Sequence, residues 1–119
     1  MVFIESIFMR KESFYHLHSE ICKTMANPRR EAIIDTIHRG EMTVSTLVKK
    51  TGISQANLSQ HLAILRSKGV VQTRREGNNI YYSIANPKII EAYDLISEFL
   101  KESTSYKNKT VNDAFNYKR

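Results

Sequence analysis

Apolar side chains recur at helical spacing along the first part of the chain. From residue 3 to residue 25 they fall three, four or seven positions apart, which places them on one face of a helix. We therefore predict one long or broken amphipathic helix over 3–25. Its apolar face comprises Phe3, Ile7, Phe14, Leu17, Ile21 and Met25.

A second helix is predicted to begin at an Asn-Pro pair. Asn27 can cap the helix, Pro28 suits the first helical position, and Gly40 supplies a left-handed stop. These signals predict a helix over 28–39. Its inward face is expected to hold Ala32, Ile33, Ile34 and Ile37.

Two shorter helices are predicted to follow with only a few residues between them. Thr43 caps a helix that ends at Gly52, and Ser54 caps a helix over 55–68 that Gly69 closes. Two helices joined by three or four residues that include glycine have the spacing of a helix-turn-helix.

The rest of the chain predicts a β-hairpin and a last helix. Two runs of β-branched and aromatic residues, 70–75 and 80–84, flank a turn cluster at 76–79. Asn86-Pro87 repeats the capping pair before an amphipathic helix that ends near Ser103. We predict a mostly helical α+β domain over 1–103, with about five helices and one hairpin. The basic, polar tail over 104–119 is expected to be disordered or a loosely docked helical turn.

Composition narrows the class of protein. The chain has 119 residues, with 18 Lys and Arg against 12 acids and a net charge of +6, which fits one small domain and excludes a multi-domain enzyme. A single cysteine, Cys22, excludes an intrachain disulfide, a four-thiolate zinc site and a Cys-x-x-Cys pair. Glu5 interrupts the amino-terminal segment, which has no cleavage signature, and no apolar run approaches the length of a membrane span. We therefore expect a soluble, cytoplasmic protein.

The order of the predicted elements is that of a winged helix-turn-helix, whose second motif helix enters the major groove of DNA. If Leu58, Leu62 and Leu65 face inward, the opposite side of that helix is small and rich in hydrogen-bonding groups. Such a side can approach base edges closely, and Gln and Asn can pair bidentately with adenine. The predicted outward face comprises Ala56, Gln60, Ala63 and Ser67, flanked by Gln55, Asn57, Ser59 and Arg66.

Basic side chains beside this helix are expected to meet phosphates. His61 either touches DNA or packs at the edge of the core. Arg29 and Arg30 oppose the dipole of the helix they begin, which is a hint of an acidic or phosphate neighbour, and we expect them to be solvated. The alternative for the outward face is an ordinary solvated helix surface. The predicted DNA-binding residues are Thr43, Lys49, Lys50, Ser54, Gln55, Ala56, Asn57, Ser59, Gln60, His61, Arg66, Arg74, Arg75, Asn78 and Asn79.

Three motifs, taken together and in this order, resemble those of the ArsR/SmtB family of bacterial and archaeal repressors. They are MANPRR at 25–30, GISQANLSQHLAILR at 52–66 and GVVQTRREGNNIYY at 69–82, although Met25 stands where the family commonly has leucine. The resemblance implies a homodimer, held by the first and last helices, that recognises a palindromic operator and represses the genes behind it.

The amphipathic pattern supports that dimer independently, because the motif and hairpin need neither flanking helix for their own core. A two-fold dimer places two recognition helices about 34 Å apart, so we expect an inverted-repeat site in double-stranded DNA. The predicted dimerisation residues are Phe3, Ile7, Phe14, Leu17, Ile21, Ile89, Tyr93, Ile96, Phe99 and Leu100.

The metal-ligand positions that the family resemblance implies are not occupied by the usual ligands. One family site uses thiolates at positions that correspond here to Thr43 and Ser45. The positions of the family's second metal site correspond here to Asn86, Lys88, Phe99 and Glu102. Of these four residues, only Glu102 could be a metal ligand. We therefore predict that the protein holds no metal and no cofactor. Whether a small molecule or a redox change acts as its effector stays open.

Cys22 has two interpretations. It lies one helical turn after His18, so the pair could bind a metal or form a redox-sensitive thiol. A lone cysteine beside an apolar stripe is more often a small buried hydrophobe.

The residues also bear on two other classes of function, catalysis and the binding of a protein or RNA. No convergent nucleophile, base and oxyanion donors are evident, so we predict that the protein is not an enzyme. The alternative to a DNA-binding regulator is a winged-helix module that binds a protein or RNA, for which the Arg74-Arg75 pair would not be needed.

Overall fold

The computed structural model describes residues 6–103 and 113–116. Phe3 and most of the predicted tail, 104–112 and 117–119, lie outside the described residues. Within the tail, residues 113–115 are helical.

Five helices and one hairpin occur in the predicted order. The helices are α1 (Ile7–Met25), α2 (Pro28–Ile37), α3 (Val44–Thr51), α4 (Gln55–Ser67) and α5 (Lys88–Glu102), and the strands are β1 (Val71–Glu76) and β2 (Asn79–Ile84). The chain divides into two units, Met1–Ala85 and Asn86–Arg119, so α5 is described by itself. The described part of the chain thus has the mostly helical, winged helix-turn-helix architecture.

Capping side chains start α2, α3 and α4 where the sequence predicts them, whereas α1 begins at Ile7 with Ser6 as its cap. The Asn27 side chain accepts hydrogen bonds from the backbone N–H groups of Arg29 and Arg30 at 3.0 and 3.2 Å. The Asn86 side chain accepts from the backbone N–H of Lys88 at 3.0 Å, but the N-cap of α5 is Pro87, so the predicted repeat of the Asn-Pro cap is shifted by one residue. Gly52 ends α3 in the left-handed conformation, with φ of 73°. These local contacts explain why the boundaries can be read from short stretches of sequence.

The core lies among α2, α3, α4 and the start of β1. Ala32 was predicted to face inward and is exposed, which corrects the inward stripe of α2. The three isoleucines lie on the side of α2 that packs on α3 and α4. Ala32 lies about 150° around the helix axis from the centre of that side, so it lies away from the core. The buried apolar residues are Ile33, Ile34, Ile37, Leu47, Leu58, Leu62, Leu65, Val70 and Val71.

The hairpin is joined to the helical core by backbone hydrogen bonds. β1 and β2 pair antiparallel, with Arg74 opposite Tyr81 and Arg75 opposite Ile80. Met42, in the connection between α2 and α3, bridges to Tyr82 in both directions, with N–H to carbonyl distances of 3.0 and 2.8 Å. This bridge fixes the base of the hairpin, which we call the wing (71–84), to the helix-turn-helix.

The flanking helices bury little within the described chain. Thr24 is the buried residue of α1, and the described residues of α5 include none that is buried. On α1, Ile7, Phe14 and Leu17 are exposed. No helix among the described residues is both long and apolar enough to cross a bilayer.

Candidate nucleic-acid interface

The fourth helix presents two chemically different sides. Leu58, Leu62 and Leu65 are fully buried, as predicted, because they lie on the side that packs against the other helices. The other side is exposed and carries small, amide and hydroxyl groups. Its exposed residues are Gln55, Ala56, Asn57, Ser59, Gln60, Ala63, Ile64, Arg66 and Ser67, of which Ile64 is the large apolar member.

Two hydroxyl groups predicted to bind DNA serve as helix caps. The Ser54 side chain accepts from the backbone N–H of Asn57 at 3.4 Å. The Thr43 hydroxyl accepts from the backbone N–H of Thr46 at 3.3 Å and lies 3.2 Å from the Ser45 hydroxyl. Capping orients both hydroxyls toward their own helices, so they hold the motif in shape whether or not they also contact DNA.

Four exposed basic side chains lie on α4 or on the elements that precede and follow it in the sequence. Lys49 and Lys50 end α3, Arg66 lies in the last turn of α4, and Arg75 lies on the wing. All four are exposed, and none has an ion-pair partner within the part of the chain that the structure describes. Their charges are therefore available to an external anion such as a phosphate.

Arg74 is different from its neighbour. Its Nε and Nη2 donate to the Glu41 carboxylate, at 2.8 Å for the shorter Nε contact and 2.5 Å for Nη2. Its Nη1 donates to Glu76 at 2.7 Å, and the guanidinium lies 4.6 Å from the centroid of the Tyr81 ring. The structure therefore gives Arg74 two internal acidic partners, which the sequence prediction of a phosphate contact did not include.

The electrostatics agree with this geometry. The hydrogen bonds that Arg74 donates to Glu41 first, and to Glu76 second, raise the pKa of Arg74 above its ordinary value. The hydrogen bond from Arg74 holds the pKa of Glu41 below the usual range of a glutamate. Both shifts favour the charged forms, so the pair stays ionised at neutral pH.

His61 lies at the edge of the core and is half-buried. Arg30 donates through Nε to His61 Nδ1 at 3.3 Å and through Nη1 to the carbonyl of Thr24 at 3.1 Å. Burial, followed by the charges of Arg30 and Arg29, lowers the pKa of His61. Arg30 is therefore not simply solvated, as was expected, because it joins the end of α1 to α4.

Cys22 is exposed in the described chain, so the interpretation as a buried hydrophobe is wrong for this protomer. Its Sγ lies 3.6 Å from His18 Nδ1, which is the juxtaposition that the one-turn spacing predicts. Phe14 packs on the His18 ring at a centroid distance of 5.8 Å. The described residues contain no group of three or more His, Cys, Asp or Glu side chains that could hold a metal ion.

The predicted dimerisation residues of α1 and α5 are accessible to different degrees. Ile7, Phe14 and Leu17 of α1 are exposed, and Ile21 is half-buried. Exposed Phe8, Met9 and Tyr15 extend the apolar area of α1 beyond the predicted stripe. On α5, Ile96 and Phe99 are exposed, whereas Ile89, Tyr93 and Leu100 are half-buried.

Comparison with known proteins places this architecture in a family. Residues 27–73 match the model of the arsR family of bacterial regulatory proteins. The crystal structure of NolR from Sinorhizobium fredii is 34% identical, with a TM-score of 0.74 over 81% of this chain and 96% of that one. The chain belongs to the arsR family.

Two other relatives of this arsR-family chain carry informative descriptions. A solution structure from Mycobacterium bovis is described as a homodimeric winged helix-turn-helix DNA-binding domain; it is 29% identical, with a TM-score of 0.73 over 90% of this chain and 97% of that one. The biofilm growth-associated repressor of Agrobacterium fabrum is 43% identical over 75 residues, which cover 60% of this chain and 64% of the repressor. Across four curated relatives, the chain spans between 64% and 74% of their length.

Two residues of this region were not singled out as site residues from the sequence. Glu41 is separated from Arg74 by 33 positions, and Arg30 is separated from His61 by 31. No periodicity or local motif links residues so far apart. Only an unpartnered acid beside the start of the motif could have drawn attention to Glu41.

Proposed function

We propose that this arsR-family chain is a sequence-specific, DNA-binding transcriptional repressor that acts as a homodimer on an inverted-repeat operator. One observation carries the proposal. The helix that buries Leu58, Leu62 and Leu65 exposes small, amide and hydroxyl residues on its other side, and the exposed Ile64 and Arg66 lie only in its carboxyl-terminal half. A side of this chemistry fits a major groove, in which amides and hydroxyls read base edges.

The first residues of α4 are proposed to read bases. Gln55, Asn57, Ser59 and Gln60 lie in its first two turns and are exposed. Recognition helices commonly contact bases through their amino-terminal residues, so this end of α4 would enter the groove. Ala56 and His61, which the sequence also predicts to contact DNA, would lie beside these amides.

The unpaired cations are proposed to hold the DNA backbone. Lys49 and Lys50 would reach phosphates from α3, Arg66 from the end of α4, and Arg75 from the wing. Asn78 and Asn79 are exposed at the turn of the hairpin and could add neutral contacts there. Each phosphate neutralised by a cation releases condensed counterions, so binding would weaken as salt rises.

The dimer is proposed to form through the apolar residues of α1 and α5. Ile7, Phe14 and Leu17 are exposed on α1, and large apolar side chains that crowd one helix commonly mark a protein interface. A related structure is described as a homodimer, which supports the same assembly here. Two-fold symmetry would then present two copies of α4 about 34 Å apart.

Repression is proposed from the family and from the curated relative named as a repressor. A protein that binds operators acts where the chromosome is, so we place it in the cytoplasm. The proposed mechanism is binding alone and needs no catalytic step.

Selection from a library of random duplexes tests the proposal. Wild-type protein should enrich an inverted repeat, and its affinity should fall steeply between about 50 and 200 mM salt. Ser59→Ala should weaken this selection, whereas Ser67→Ala is the matched control because the Ser67 hydroxyl bonds to the carbonyl of Ile64 in its own helix, at 2.8 Å. Weak, sequence-independent binding would instead favour a winged-helix module that binds a protein or RNA.

A further inference from the structure

The two neighbouring arginines of the wing have opposite surroundings. Arg74 and Arg75 are consecutive on β1, so their side chains point to opposite faces of the hairpin. Arg74 shares its face with Tyr81 and Glu76, while Arg75 lies opposite Ile80. Of these two arginines, Arg74 alone has acidic partners among the described residues.

The acids around Arg74 outnumber its charge. Glu41 and Glu76 together carry two negative charges against one positive charge, and Tyr81 lies over the guanidinium plane. A phosphate that approached Arg74 would meet two carboxylates at once, and like charges repel strongly at close range. The environment of Arg74 is therefore unfavourable for an anion, whereas that of Arg75 is open to one.

Glu41 lies directly before the backbone bridge between the wing and the helix-turn-helix. The next residue, Met42, exchanges two backbone hydrogen bonds with Tyr82 of the wing, and Thr43 then caps α3. The Glu41 and Arg74 side chains add a second connection beside this backbone bridge. Two adjacent connections resist rotation of the wing better than one, so they fix the angle between wing and helix-turn-helix.

We infer that Arg74 is a positioning residue, which holds the wing at its working angle through Glu41, and that Arg75 is the wing arginine that contacts the DNA phosphates. This inference rests on the proposed DNA-binding function. It divides the predicted wing contacts into one residue that sets geometry and one that meets DNA. The bidentate contact requires an arginine, because its fork matches a carboxylate in a way that lysine does not.

The salt dependence of operator binding separates the two roles. Arg75→Ala should reduce the slope of log affinity against log salt by about 0.9 for each phosphate lost, or about twice that for a dimer. Arg74→Ala should lower affinity by about threefold to tenfold and leave the slope unchanged, since a loosened wing loses no phosphate contact of its own. If Arg74→Ala lowers the slope as Arg75→Ala does, the inference is wrong.

Glu41→Gln should change operator affinity in opposite directions, depending on whether Arg74 positions the wing or contacts DNA. If Arg74 positions the wing, this change should weaken operator binding in the same way as Arg74→Ala, and the double variant should be little worse than either single one. If Arg74 contacts DNA, Glu41→Gln should tighten binding, because it frees the arginine and removes a repelling charge. Tighter binding would therefore overturn the inference.

Amide hydrogen exchange in the free protein supplies a test that needs no DNA. Arg74→Ala and Glu41→Gln should both speed exchange at the Met42 and Tyr82 amides, which form the backbone bridge, while Arg75→Ala should not. Unchanged exchange in both variants would contradict the inference. A wild-type protein that selects no operator would refute the proposed function instead, and the exchange rates would still report on the Arg74 contact.

Discussion

The first helix and the three helices that follow it use similar apolar residues in different ways. α2 buries three isoleucines and α4 buries three leucines. α1 is the longest of the described helices, at 19 residues, yet the residue it buries is Thr24, and Leu17 is 65% exposed. Its amino-terminal two-thirds therefore carries apolar side chains that the described chain does not cover.

This difference teaches that an amphipathic pattern identifies an apolar face without identifying what covers it. The core is buried because α2, α3, α4 and the start of β1 enclose one another. On α1, Phe8, Phe14 and Tyr15 contact one another through their rings, and Lys11 lies over two of these rings. Such contacts shield part of the face, and a second subunit would cover the rest.

The largest effect should come from the core. Leu62→Ala should lower the free energy of unfolding by about 2–5 kcal/mol, because it leaves a cavity where the side chain was fully buried. Leu17→Ala is the matched control. Measured by urea unfolding at a protein concentration at which the chain is monomeric, it should cost far less. Equal losses would show that α1 belongs to the core after all.

The next largest effect should concern the dimer. Leu17→Glu should raise the dimer dissociation constant by about tenfold to a hundredfold for each of the two copies in the dimer, because burying a leucine is worth about 1.5–3 kcal/mol and a charge cannot take its place. Sedimentation equilibrium would measure the change. Ile80→Glu is the control, since Ile80 is also exposed but lies on the wing. A dimer unaffected by Leu17→Glu would mean that α1 is covered in some other way.

A smaller effect is expected at the exposed side of α4, which resembles α1 in exposure but not in chemistry. Gln60→Ala should cost about 1 kcal/mol in operator binding, or about fivefold, and relax the base preference at one position of each half-site. Binding to single-base variants of the operator would measure this. A uniform loss at every position would indicate that Gln60 contacts the backbone instead.

The smallest effects should appear with pH. Because the pKa of His61 is lowered on folding, the unfolded chain binds the proton more readily, and stability should decline as pH falls below about 6.5. His61→Gln should flatten this part of the curve, which chemical denaturation at several pH values would measure. A curve that keeps its slope in the variant would assign the dependence to another group.

A second decline should occur in stronger acid, where paired carboxylates take up protons. The contacts with Lys68 and Arg74 lower the pKa values of Glu20 and Glu41, so their contribution is present above about pH 4.5 and is lost as pH falls below it. Glu31 acts in the opposite direction, since burial raises its pKa. Glu20→Gln and Glu41→Gln should each make the decline shallower, and acid unfolding monitored by circular dichroism would show it.

Much of the fold could be predicted because its signals are local. Asn27, Ser54 and Gly52 act within a turn of the positions they control, and the leucine spacing of α4 reports directly on its buried side. Ala32 was assigned wrongly because spacing alone does not set how wide a buried face is. Cys22 was expected to be buried because its helix carries apolar residues, yet the residues that the structure describes leave the thiol exposed.

The order of the elements, the buried side of α4 and the largely small, polar character of its exposed side follow from the sequence. The pairing of Arg74 with Glu41, the open surroundings of Arg75 and the contacts of Arg30 with Thr24 and His61 emerge only from the packing of the folded chain. The physical reason is range. Helix periodicity and capping act over about four residues, whereas these ion pairs and hydrogen bonds depend on how distant elements pack.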